Sequence, residues 1–206
     1  AMVDTEHEQA VYETTSSWMD LRTGDLDFVL DQILFSVSED RDDTLFKVID
    51  TEHIGLFGHS LGGAASAQMG RLRDDIDAVI VLDGTMIGEE VAFEDGAVVL
   101  NNTPYPVPLL NVYAQDHYDN AKDIVGDSYN NFYATENALD AYETVFLEAG
   151  HLNFTDLPLF SPLLASALGV GLIEARYCIE KMNDVVINFF DYFLKETGTL
   201  NIAKEY

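Results

Sequence analysis

Gly58-His59-Ser60-Leu61-Gly62-Gly63 constrains this chain more than any other stretch. It follows a short apolar run, His53-Ile54-Gly55-Leu56-Phe57-Gly58, and precedes Leu61 to Leu72, which is rich in small residues and helical in character. A serine between a strand and a helix, with glycine on either side, is expected in a sharp, strained turn that lifts its hydroxyl above the sheet edge. Gly58 and Gly62 are expected where a Cβ would strike the neighbouring strand or helix. Gly63, Ala64 and Ala65 would then let the helix start pack closely. The Leu61 N–H, at the helix N-terminus, is expected to face a developing oxyanion.

Around this turn, apolar strands and helices alternate without an internal repeat. Residues 25–35 carry apolar side chains at helical spacing with acids between them. Asp77 to Leu82 is β-branched and nearly uninterrupted, as a strand buried on both faces should be. Val91 to Leu100 reads as a hairpin turning at Asp95-Gly96. A strand from Val107 to Ala114, a polar helical stretch over about 118–141, a strand from Thr144 to Leu147 and a helix over about 174–196 complete the chain. This rhythm predicts an α/β fold with a mostly parallel sheet covered by helices on both faces.

Composition narrows the function classes. Of 206 residues, 48% are hydrophobic and 23% charged, a globular balance that fits one domain over residues 1–206. Acids outnumber bases 37 to 10, a net charge of −27. Such a field repels phosphate backbones and anionic lipid, which argues against a nucleic-acid partner. The acid is dispersed, as in Glu39-Asp40-Arg41-Asp42-Asp43 and Glu89-Glu90, and reads as solvated surface. Apolar stretches such as Leu163 to Ile173 fall short of the roughly 20 residues a membrane span needs. With no export signal visible, a cytoplasmic location and no integral membrane segment are expected. The one cysteine, Cys178, lies in an apolar helical pattern and reads as a buried packing residue.

A serine hydroxyl needs a base and an orienting acid to become a nucleophile. On an elbow of this kind the acid and then the histidine follow the serine in the chain. His7 and His53 precede Ser60, and His59 adjoins it. Of the remaining two, His151 follows Val145-Phe146-Leu147 through Glu148-Ala149-Gly150 and stands beyond a strand's carboxyl end, where such sites assemble. His117 is the weaker candidate for base. Two acids remain open: Asp83, ending Val81-Leu82-Asp83, and Asp116, ending Val112-Tyr113-Ala114-Gln115-Asp116. Pairs of His and acid at ligand spacing are lacking, so neither metal nor organic cofactor is expected.

Ile54 through Ala65 resembles the α/β-hydrolase superfamily. A wider set of features resembles its platelet-activating-factor acetylhydrolase branch and that branch's bacterial relatives. Those features are Trp18 to Asp31, Leu82-Asp83-Gly84-Thr85-Met86, Pro106 to Leu110, Gly150-His151-Leu152-Asn153-Phe154-Thr155-Asp156, and Phe189 to Lys195. The branch places the catalytic acid at the end of the strand after the nucleophile helix, which implies Asp83; most other α/β-hydrolases would imply Asp116. The resemblance implies a serine esterase acting on short acyl esters, acetylhydrolase-like, with Ser60 as nucleophile, His151 as base and Asp83 as acid. The substrate would be a small-molecule ester.

The chain departs from the family in one respect. Only 59 residues precede Ser60, where the family has three or four strands and a Gly-rich loop carrying a second oxyanion donor. The expected domain is thus the C-terminal portion of the fold, either a piece of a longer protein or a shortened domain with half an oxyanion hole. Its sheet would expose an edge that a partner chain, such as a second copy, would cover. The alternative function is a catalytically silent truncated domain that acts by binding or oligomerising. Finally, the apolar run Phe154 to Ile173 is expected either to wall an acyl pocket or to join the core.

Overall fold

The structure, a computed structural model, describes residues 5–39 and 44–206. Residues 1–4 and the Asp40–Asp43 part of the acidic run lie outside them. In chain order the helices and strands are α1 (Thr5–Ser38), β1 (Gly55–His59), α2 (Leu61–Leu72), β2 (Ala78–Leu82), β3 (Glu90–Glu94), β4 (Ala97–Leu100), β5 (Leu109–Ala114), α3 (Gln115–Asn120), α4 (Asn130–Glu136), β6 (Ala141–Phe146), α5 (Leu157–Phe160), α6 (Pro162–Ala167) and α7 (Ala175–Lys195).

β1, β2, β5 and β6 form one parallel sheet in the order β1-β2-β5-β6. Period-2 alternation along β2 divides the core. Ala78, Ile80 and Leu82 face Val185 and Phe189 of α7, while Val79 and Val81 face Ala67 of α2, Tyr105 and Ala134. All five β2 residues are buried, as their β-branched composition requires. Phe189 is wholly buried, and truncating such a ring to alanine typically costs about 3–5 kcal/mol. α7 begins with a genuine cap: Glu174 accepts from the N–H groups of Arg176 and Tyr177.

One expectation is extended and two need correction. The helix expected over 25–35 is the second half of a 34-residue α1. Threonines in its first half bond within the helix rather than mark an apolar face: Thr14 Oγ1 donates to Ala10 O (2.7 Å) and Thr15 Oγ1 to Tyr12 O (3.0 Å). The helical stretch over 118–141 is broken. After α3 come a π-helical turn (Ala121–Val125), Gly126 at φ 70° and a 3₁₀ turn before α4, and the chain is already in β6 at Ala141. The run Phe154 to Ile173 is neither core nor an enclosing wall throughout. Phe154 and Ala165 are buried, whereas Phe160, Leu163 and Leu172 are 86–90% exposed. The hairpin forms as read, with Asp95 and Gly96 both at positive φ, the pair a two-residue turn favours.

The two sheet edges differ. Beyond β6 the C-terminal tail adds a short strand: Val145 N–H donates to Lys204 O and Tyr206 N–H to Val145 O, each at 3.0 Å. β1 pairs with β2 alone, and among the described residues no strand lies on its other side. Phe57, on this open edge, is 57% exposed. No helix among the described residues is long and apolar enough to cross a membrane.

Candidate active site

Every side chain of the site hangs from the carboxyl end of the parallel sheet. Ser60 follows β1 at φ 56°, ψ −127°, a conformation costing a non-glycine residue about 1–3 kcal/mol. Its neighbours hold it there. Ser60 N–H donates to Leu82 O (2.9 Å), and Ser60 O accepts from Gly63 N–H (2.9 Å) and Ala64 N–H (3.2 Å). The first-turn N–H groups of Leu61 and Gly62 have no intrahelical acceptor. A Cβ on Gly58 would overlap the Gly62 carbonyl, and one on Gly63 would stand 2.6 Å from Gly58 O. Gly62 corrects the expectation made for it, since nothing lies within 4 Å of where its Cβ would be.

Asp83 leaves β2 at φ 51°, with its carboxylate fully buried. Both oxygens are engaged. Oδ2 accepts from His151 Nδ1 (2.7 Å), while Oδ1 accepts from Ala114 N–H (2.7 Å) and His117 Nδ1 (3.0 Å). Burial pushes this carboxyl up, but the bonds from His117 and His151 outweigh it and hold its pKa at about 2. The next residue, Gly84, would drive a Cβ into Ser60 O, so the acid turn and the serine turn touch.

His151 opens a 3₁₀ turn (His151–Phe154) beyond β6, and its side chain is 43% exposed. Buried Asn153 braces this loop by accepting from Gly150 N–H and Gly171 N–H, both at 2.8 Å. The bond from Nδ1 to Asp83 raises the pKa of His151 against the opposing effect of burial. It also leaves Nε2 as the free basic nitrogen of the neutral ring.

Asp116, the alternative acid, makes no bond to His151; its Oδ1 accepts from its own neighbour, His117 N–H (2.8 Å). The structure therefore brings Asp83 and His151 together and leaves Asp116 beside them.

Two further histidines belong here. His59 Nε2 lies 2.9 Å from His151 O, and since a carbonyl only accepts, Nε2 carries the proton. The rings meet at a tilt of 36° with centroids 4.4 Å apart, and burial lowers the His59 pKa, keeping it neutral. His117, the weaker candidate for base, shares Asp83 with His151. The readable signal was position: His117, like His151, follows a strand of the parallel sheet. Cys178 is buried as expected. A groove of about 510 Å³ lined by Tyr118, Lys122, Phe132, Glu136 and Glu143 includes none of Ser60, Asp83 and His151.

A parallel sheet flanked by helices, with serine on a strand-to-helix elbow, defines the α/β-hydrolase class, and solved structures agree. A ferulic acid esterase from Streptomyces cinnamoneus matches 92% of this chain at 22% identity and a TM-score of 0.64; the match covers 53% of that esterase. An S527A variant of the AtxE2 isopeptidase with Astexin3-dC4 bound matches 95% of this chain and 28% of its own, at 13% identity and a TM-score of 0.53. The chain thus spans about half the length of the ferulic acid esterase. No curated protein matches it significantly. The profile of the family "Platelet-activating factor acetylhydrolase, isoform II" matches residues 21–201, and the chain belongs to that family.

Proposed function

We propose that the chain is the catalytic portion of a serine esterase that cleaves short acyl esters through an acyl-Ser60 intermediate. The observation that carries this reading is the 2.7 Å bond from His151 Nδ1 to the buried Asp83 carboxylate, at the same sheet edge as the strained Ser60 turn. His151 Nε2 takes the Ser60 proton as Oγ bonds to the ester carbonyl carbon. Asp83 stabilises the resulting imidazolium and keeps the ring in its working tautomer. The Leu61 N–H, free at the start of α2, donates to the oxyanion. Collapse breaks the carbonyl–alkoxy bond, and His151 returns its proton to the leaving alcohol. Water activated by His151 then releases the acid and regenerates Ser60.

A fluorophosphonate tests this reading. One equivalent is expected to bond to Ser60, and Ser60→Ala is expected to abolish both labelling and hydrolysis of p-nitrophenyl acetate. Labelling that survives the substitution would move the nucleophile elsewhere. The open outer edge of β1, directly beneath Ser60, favours a second reading: a silent domain acting through that edge. A folded chain that never labels supports it.

A further inference from the structure

Asp83 serves two histidines, and the reaction above uses only one. We infer that His117 is a positioning residue of this site: it holds the Asp83 carboxylate at the angle and charge from which Oδ2 can orient His151. This rests on the proposed roles of Ser60, His151 and Asp83.

The polar chain behind Asp83 is continuous. His117 Nδ1 stands 3.0 Å from Asp83 Oδ1, His117 Nε2 stands 2.8 Å from the Tyr129 hydroxyl, and that hydroxyl stands 3.0 Å from Thr85 Oγ1. A carboxylate cannot donate, so His117 Nδ1 carries a proton. In the neutral ring, Nε2 then accepts from Tyr129 O–H, whose oxygen accepts from Thr85 O–H. Burial pushes the Tyr129 pKa up to about 12, so the phenol keeps its proton to donate. Each member comes from a different place in the chain: Thr85 from the exit of β2, His117 from the exit of β5, and Tyr129 from the turn before α4. Rotation of the carboxylate about its Cβ–Cγ bond would break the bonds from His117 and Ala114 N–H together, so the pair fixes the plane in which Oδ2 meets His151.

Sharing also divides the charge. A donor on Oδ1 draws negative charge from Oδ2 and tempers how strongly Asp83 favours the His151 imidazolium. The other groups facing His151 are His59, tilted against it, and Asp116, which adds a weak attraction; those facing His117 are Asp83, Tyr129 and the edge of Tyr113.

Three variants read this out. His117→Leu removes the donor. It is expected to lower kcat on p-nitrophenyl acetate about 10- to 100-fold, the worth of a hydrogen bond to a charged group, with KM little changed. The acidic limb of kcat/KM should move to higher pH, because the whole Asp83 charge now favours the imidazolium. His117→Asn, whose amide N–H can reach the same oxygen, is expected to recover most of kcat. Tyr129→Phe keeps the buried ring and should move the limb the same way by less, so the test survives a leucine variant that fails to fold. In ¹⁵N-histidine spectra the parent should show two protected Nδ1–H protons, from His117 and His151, distinct from the Nε2–H of His59, and His117→Leu only one Nδ1–H. If the chain neither labels at Ser60 nor hydrolyses esters, the proposed function falls, while these two protons still decide whether His117 and His151 share Asp83. The inference is overturned by a single protected Nδ1–H in the parent, or by variants that keep the parental kcat and acidic limb or change only Tm.

Discussion

At the scale of single residues, the site is decided by which carboxylate is buried with donors around it. Asp83 and Asp116 both end strands of one sheet, and sequence spacing alone left them level. Three N–H donors converge on Asp83, whereas among the described residues Asp116 accepts only from its neighbour's backbone. Asp83→Asn is accordingly expected to lower kcat by ~10⁴ through the wrong histidine tautomer, against no more than about tenfold for Asp116→Asn. The same substitution has a signature in acid. The carboxyl pKa falls from 3.8 to about 2 on folding, so its contribution is complete above pH 4 and disappears as pH falls towards 2. That window is worth about 2 kcal/mol. Acid unfolding of the Asn variant, followed by circular dichroism, should lose this part of its pH dependence. An unchanged acid profile together with a larger kcat loss for Asp116→Asn would transfer the role to Asp116.

At the scale of elements, the parallel core was legible because burial on both faces leaves a plain record. β2 is an almost pure β-branched run, and the glycines and alanines from Gly62 to Ala67 announce a helix that packs closely. The elbow was legible for the same reason, though not glycine by glycine. Gly58 and Gly63 are held by backbone contacts, while Gly62 faces open space. Gly58→Ala should therefore cost both fold and activity, because a rigid carbonyl stands where the methyl would go. Gly62→Ala should leave Tm unchanged or slightly raised, since alanine favours helix over glycine by about 1 kcal/mol. Equal losses of Tm from the two substitutions would show that the elbow is not packed as described. What stayed illegible lacked a local signature. The first half of α1 buries little, and the stretch over 118–141 carries a helical composition through breaks set by Gly126 and by packing around Tyr113 and Tyr129. The position of His117 at a strand exit was legible, but its role was not, because that depends on a contact with Asp83, 34 residues away, that the β2–β5 pairing creates.

At the scale of the whole molecule, a net charge of −27 opposes compaction and acts on anything approaching the site. Two of the few cations are spent on holding the fold. Arg71 makes a paired bond to the buried Glu89, and Arg73 reaches Asp27 and Asp31 of α1 as well as Asp75. Neither Lys122, which lies over the Tyr118 ring, nor Arg176, in the first turn of α7 beside Glu174, is among the groups acting on His151. Around His151 the charged neighbours are Asp83 and Asp116. An ester bearing a carboxylate should therefore meet repulsion during its encounter, whereas a neutral ester of the same acyl length should not. Salt screens charges separated by more than about 10 Å at 0.1 M, so most of this penalty is removable without changing the site. The expected outcome is a kcat/KM ratio, neutral over anionic p-nitrophenyl ester, that is well above one at 10 mM salt and falls steadily towards 0.5 M. The fall should come from rising activity on the anionic ester, with the neutral one nearly constant. A preference for the anionic ester that weakens as salt is added would instead place a cation at the site, and the long-range field would then not govern substrate choice.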